Sequence, residues 1–213
     1  MIKGLFGKKI GMTRIFAEDG KAVPVTAIQA GTCYVVQRKT VTSDGYDAVQ
    51  LGIGEKKEKR ANKASKGHFT KAGTPALSCL GEFECEGKDE YKPGQAINAS
   101  EIFKIGDHID VSGRTIGKGF KGSMKRHHFS GGAGSHGSMH NRAPGSIGSS
   151  SDPSRVYKGM RMAGRMGFDL KTVQNLRIVD IRPEENLVLV SGAVPGPVNG
   201  YIKIKKSVKK SKP

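Results

Sequence analysis

The chain has 213 residues and a formal charge of +17, and only 36% of its residues are hydrophobic, below the roughly 45–50% apolar usage of ordinary globular domains. That allows one elaborated domain or two small ones around a modest core. No apolar run approaches the ~20 residues of a membrane span, and residues 1–12 carry Lys3, Lys8 and Lys9 without the separate apolar stretch of a signal peptide, so a cytosolic protein with no membrane partner is expected.

The charge is unevenly placed. Residues 1–110 hold 17 basic and 14 acidic residues, residues 111–168 ten basic and one acidic (Asp152), and residues 169–213 nine basic and four acidic. An excess so concentrated points to an anionic partner, nucleic acid or an anionic membrane surface. The cysteines are Cys33, Cys79 and Cys85. Their odd number and the absence of CxxC spacing argue against a disulfide framework or a zinc ribbon. They read as small buried residues of a reducing compartment.

In chain order, residues 11–16 read as a strand ending at the turn Ala17-Glu18-Asp19-Gly20, with Gly where a positive φ is needed. Residues 21–29 alternate around Val23, Val25 and Ala27, and Pro24 marks an edge or a bulge. Residues 32–38 are β-rich, Ser43-Asp44-Gly45 turns, and residues 46–53 alternate with period two. Strands this short and this closely spaced predict a small antiparallel barrel rather than alternating α/β units.

Residues 55–66 form a charged run, read as a solvated loop and helix face rather than an RNA contact. Residues 62–71 have the Ala and Lys content of a short helix, and residues 80–85 read as a strand. Gly87-Lys88-Asp89-Glu90 and Pro93-Gly94 are turn signals. Residues 105–116 return to strand, and residues 118–127 suggest one short helical piece around Phe120 and Met124. Further strands are expected at 170–181, 186–191 and 201–205, with a turn at Pro183-Glu184-Glu185-Asn186, a Gly/Pro loop over 192–200 and a basic tail over 205–212.

Between the strands lies a strip, residues 113–167, with 13 glycines and four of the six histidines. It lacks apolar periodicity and cannot bury a core of its own. Such a strip needs an anionic surface to order it, and a phosphate backbone releases counterions for every Lys and Arg it meets. The candidate RNA-binding residues are Arg114, Lys118, Lys121, Lys125, Arg126, Arg142, Arg155, Lys158, Arg161 and Arg165. His127, His128, His136 and His140 are expected against phosphates or base edges. Gly117, Gly119, Gly122, Gly145 and Gly148 would let backbone N–H groups approach phosphate closely.

Gly117-Lys118-Gly119-Phe120-Lys121-Gly122 matches GxGxxG, but a dinucleotide fold needs a strand–helix–strand unit and an acid roughly 20 residues on. The first acid here is Asp152, in a Gly/Pro/Ser loop. His136 and His140 have i, i+4 spacing, yet Gly137 and the glycines before it oppose a helix, and no carboxylate or Cys stands nearby to complete a metal site. No nucleophile–base–acid set and no paired carboxylates occur in the strip. No catalytic residue, cofactor, metal or small-molecule substrate is therefore expected.

The positions Phe103, Asp110, Gly113, Thr115, Gly117, Lys118, Gly119, Gly122 and Arg126 carry a further signal. In this spacing they resemble the signature of the ribosomal protein L three family, bacterial type. GLFGKKIGMTRIF at the start, NRAPGSIG at 141–148, MAGRMG at 162–167 and LVLVSGAVPG at 187–196 resemble the same family, so the likeness covers the whole chain. It implies a β-barrel of the translation-protein type, with residues 1–112 and 168–208 in the barrel and 55–95 as an inserted helix and loop. Residues 113–167 would be an extension entering ribosomal RNA toward the peptidyl transferase centre, and residues 209–213 a basic tail. The implied partners are large-subunit (23S-type) rRNA and neighbouring large-subunit proteins, in the cytoplasmic ribosome, with a part in starting subunit assembly. Bacterial relatives often carry a methylated Gln directly after GSIG. Here that position is Ser149, so the modification does not carry over.

Two rivals differ from this structural role. An RNA-modifying enzyme would need an acid, a Cys or a cofactor pocket among the basic residues. A free RNA chaperone or anti-termination factor would bind many RNAs without a ribosomal home.

Overall fold

The computed structural model describes residues 2–85 and 91–210. The turn expected at Gly87-Lys88-Asp89-Glu90 and the last residues of the basic tail, 211–213, lie outside the described residues. The chain divides into two compact units, Met1–Thr115 with Leu170–Pro213, and Ile116–Asp169.

The first unit begins with β1 (Gly4–Phe16), β2 (Ala22–Gln29) and β3 (Cys33–Lys39). A single helical turn, α1 (Val41–Asp44), leads into β4 (Ala48–Glu55). Then come α2 (Lys63–Ala72), β5 (Leu77–Glu84), β6 (Ala96–Ile97) and α3 (Ala99–Ile102). After β7 (His108–Arg114) the chain enters the second unit, with β8 (Phe120–Lys121), α4 (Ser123–His127) and β9 (Gly164–Arg165). It returns with β10 (Leu170–Arg182), β11 (Leu187–Ser191) and β12 (Tyr201–Lys206).

Six strands close a barrel in the order β1-β12-β7-β10-β11-β2, and every pair is antiparallel. The fold class read from the sequence, mainly β with a small antiparallel barrel, is the one found. The strands of residues 1–54 do not all enter it. β3 and β4 belong to a separate sheet ordered β5-β4-β3-β6. Local alternation marks a strand but carries no record of its partner, which is why this division was not readable.

Period-two strands supply the core. In β12, Ile202 and Ile204 point inward between Tyr201, Lys203 and Lys205. They meet Leu5, Ile28, Ile109, Val111, Ile178, Val188 and Val190 in one buried cluster, which continues through Phe6 into Phe83, Val35 and Leu51 of the second sheet. Phe6 and Phe83 stand edge to face, 5.0 Å between centroids, with the Lys203 ammonium 5.5 Å from each ring. A smaller cluster seats α2, placing Phe69 and Ala72 against Val36, Ala76 and Leu77. Asn62 caps that helix by accepting a hydrogen bond from the Ser65 amide at 2.8 Å.

Boundaries moved where backbone geometry overrode pattern. β1 begins seven residues earlier than its alternation showed, because Gly4 and Gly7 sit where a Cβ would meet the Ile204 carbonyl and the Ile28 side chain. The strand expected over 105–116 shortens to β7, since the Lys104 amide donates to the Asp107 carboxylate at 2.9 Å and turns the chain first. Pro24 lies where the pairing of β2 with β11 stops, and its carbonyl accepts from the Gly192 amide at 2.9 Å. β10 carries a register shift between Val173 and Leu176. Buried Asp110 explains it by accepting from the Asn175 amide at 2.9 Å, while the Ser207 hydroxyl donates to the Asn175 side-chain oxygen at 2.6 Å.

Candidate nucleic-acid interface

The second unit is tied at its base by a short ribbon. β8 and β9 pair Phe120 with Arg165 and Lys121 with Gly164. The Lys118 amide donates to the Met166 carbonyl at 2.8 Å, and the Met166 amide returns to the Gly119 carbonyl at 2.9 Å. Gly167 closes this base with φ +75, and a Cβ there would collide with the Ile116 carbonyl. The helical piece expected over 118–127 is therefore half strand, and only α4 is helical. The glycines at 117, 119 and 122 favour extended backbone over helix, and a helix of five residues is too short to form without tertiary support.

Arg126 and His127, at the end of α4, both reach the Met162 carbonyl, Arg126 through Nη1 at 2.9 Å and His127 through Nε2 at 3.0 Å. They hold the outgoing and returning chains together, and both are half-buried. This internal clamp had no local signal, because Met162 lies 36 residues beyond Arg126.

The remaining cations turn outward. Lys118, Lys125, His128, His136, His140, Arg142, Arg155, Lys158, Arg161 and Arg165 are all exposed, Lys121 is half-buried, and every residue from 130 to 142 is exposed. Arg114, also exposed, belongs to the first unit at the end of β7. Arg155 and Arg165 lie over Tyr157 and Phe168 at 5.5 and 4.9 Å, which leaves guanidinium edges open to an acceptor. Among the described residues, Lys118, Lys121, Lys125, Arg142, Lys158 and Arg161 take part in no ion pair. Several acids of the first unit are paired: Glu84 with Lys3 at 3.2 Å, Glu82 with Lys39 at 2.8 Å, and Asp47 with Arg38 at 3.2 Å. Glu82 accepts from Lys39 first and Tyr46 second, and this holds its carboxyl below the ordinary range. What sets residues 111–168 apart is the near absence of acids, ten Lys and Arg against Asp152 alone.

Of the five glycines expected to admit close approach, Gly119 and Gly145 hold positive φ with open space at the Cβ position. Gly122 also faces open space, while Gly117 and Gly148 have neighbours no nearer than 3.5 and 3.8 Å. None is crowded by the protein itself. His136 and His140 do not share a helix, and no group of three or more metal-ligating side chains occurs among the described residues.

A family model described as Ribosomal protein L3 matches residues 88–186, a stretch containing the whole second unit and the two barrel strands that lead into and out of it. Large ribosomal subunit protein uL3 of Syntrophotalea carbinolica is 54% identical over 98% of this chain and 100% of its own length. Those of Syntrophus aciditrophicus and Geotalea daltonii are 53% and 50% identical, covering 98% and 100% of this chain and 95% and 100% of their own lengths. The chain belongs to the ribosomal protein L3 family.

The nine signature positions divide between the two units. Phe103 is buried in the core of the first unit, Asp110 pins the β10 bulge, and a Cβ at Gly113 would meet Ile202 at 2.9 Å and the Pro195 carbonyl at 3.0 Å. Lys118, Gly119 and Arg126 build the base of the second unit. Much of the signature thus secures the scaffold that presents the cations.

Proposed function

We propose that this chain holds large-subunit rRNA with the cations of residues 113–167, helps to nucleate subunit assembly, and presents the turn around residues 130–151 toward the peptidyl transferase centre. Membership in the family makes it a structural constituent of the large ribosomal subunit rather than an enzyme, at work on the cytoplasmic ribosome. Its partners are large-subunit rRNA and neighbouring large-subunit proteins. Among the described residues no helix is long and apolar enough to cross a membrane.

The observation that carries this reading is the set of six cations that form no ion pair among the described residues, on a unit whose residues 130–142 are all exposed. Each phosphate these cations neutralise releases counterions, so affinity comes from charge, and the small residues between them admit backbone closely. The Ser146 hydroxyl donates to the Gly148 carbonyl at 3.1 Å rather than to a base, in keeping with a turn that acts by position. Sucrose-gradient sedimentation in high salt is the test. Co-sedimentation with large subunits is expected; recovery in the free fraction, or spread over unrelated RNAs, overturns the assignment in favour of a free RNA chaperone.

A further inference from the structure

Two stretches of the second unit fold onto each other just past α4. A Cβ at Gly131 would collide with the Asn141 carbonyl, and one at Gly132 would lie 2.9 Å from the His140 carbonyl. The Gly132 amide donates to the Asn141 carbonyl at 3.2 Å. Only glycine permits so tight a seam. Beside it opens a hollow of about 750 Å³, lined chiefly by His128, Phe129, Gly131, Gly132, His140 and Pro144.

The lining is unlike the rest of the unit. Residues 111–168 hold ten Lys and Arg, and none of them borders this hollow. A phosphate site would have drawn them in. Nor do carboxylates or thiols border it, so it does not suit a cation. It offers flat or apolar faces instead: two imidazoles, a phenyl ring and a pyrrolidine. Phe129 is steadied by His127, 6.0 Å away between ring centroids, and His127 is itself held on the Met162 carbonyl. His128 takes a left-handed φ of 61° at the end of α4, which turns the chain into the hollow. Planar faces with peptide groups between them are what an unstacked nucleobase needs, while its phosphates stay outside among the cations.

We propose that this hollow receives the base of one unpaired rRNA nucleotide, stacked on Phe129 and the flanking imidazoles. The proposal rests on the rRNA-binding reading above and gives it a definite form. The cations supply affinity without sequence, and the hollow fixes register by demanding a nucleotide that is splayed out of its helix.

Two measurements test it. First, Phe129→Ala removes a stacking face but no charge. With full-length protein and large-subunit rRNA, affinity is expected to fall roughly 5- to 140-fold, the range for one base stack lost to alanine, while the slope of log affinity against log salt stays the same. Ala143→Trp, which fills the hollow, is expected to act likewise. Second, zero-length ultraviolet crosslinking of the unaltered protein on its subunit, mapped by mass spectrometry, should place nucleotide adducts on Phe129, His128 or His140. Adducts at Lys118, Lys121 or Arg142 with none in the hollow overturn the base pocket and leave the rRNA-binding reading standing. No adducts anywhere in residues 116–169, with no co-sedimentation, overturn both.

Discussion

Gly167 combines a positive φ with a carbonyl where its Cβ would be. Alanine there costs about 1–3 kcal/mol of backbone strain and pushes Ile116 away, opening the base that Lys118 and Met166 close. Gly167→Ala is expected to weaken rRNA binding and speed tryptic cleavage at Arg161 and Arg165, with the melting temperature of the barrel unchanged. Cys33 gives a second prediction at this scale. Its Sγ lies 3.6 Å from the Phe6 carbonyl, and burial pushes the thiol from the ordinary 9.0 up to about 11. The folded state therefore keeps a proton that the unfolded chain gives up. That contribution is complete below pH 9 and is lost as pH rises through 11, on the order of 2–3 kcal/mol. Lysines and tyrosines titrate in the same window, so the check is a comparison with Cys33→Ala. Chemical unfolding from pH 8 to 11 should show a steeper loss in the unaltered protein than in the variant.

Among the elements, the ribbon and helix of the second unit separate two kinds of cation. Among the described residues the side chains of Lys118, Lys121 and Lys125 form no ion pair, whereas the Arg126 guanidinium is engaged with Met162. Changing the three lysines to alanine should flatten the salt slope by up to about three units, read by filter binding over a salt series. Arg126→Ala should change the slope by no more than about one and instead loosen the unit, visible as faster hydrogen exchange at Gly164 and Met166. An unchanged slope in the triple variant would mean that these lysines face solvent in the complex. The elements also show what sequence could and could not reveal. Strand β12 was legible because alternate side chains are buried, β2, β4 and β11 through their runs of β-branched and aliphatic residues, and α2 through its composition. The first half of β1 was hidden by glycines whose reason lies in a partner strand. β8 and β9 are two residues each, with 42 residues intervening between Lys121 and Gly164, so no window of local pattern contains both. The candidate cations were legible from charge alone. That Arg126 and His127 brace the unit from within was not, since one carbonyl across the ribbon decides it.

At the scale of the whole molecule, the two units differ in what holds them. The first has a continuous buried core; the second buries little beyond Ser123. Limited trypsin digestion of the free protein should therefore cut at Arg142, Arg155 and Arg161 while the barrel survives, and rRNA should slow those cuts. Equal protection of all sites without RNA would mean that the second unit is stable alone.

The register of β7 with β10 has a consequence for how such a chain can change over time. Arg114 and Leu170 face each other as a cross-strand pair, so the barrel meets residues 115–169 as it would meet any hairpin loop. Loop-closure entropy grows only logarithmically, and lengthening a two-residue turn to this size costs about 3 kcal/mol. A chain in which Asn-Gly joins Arg114 directly to Leu170 should still form the barrel, with native-like amide dispersion by NMR and lost affinity for rRNA. The barrel is then a fixed socket with a variable insert. Descendants can lengthen, trim or rewrite that insert to follow a changing RNA without re-inventing the fold that carries it.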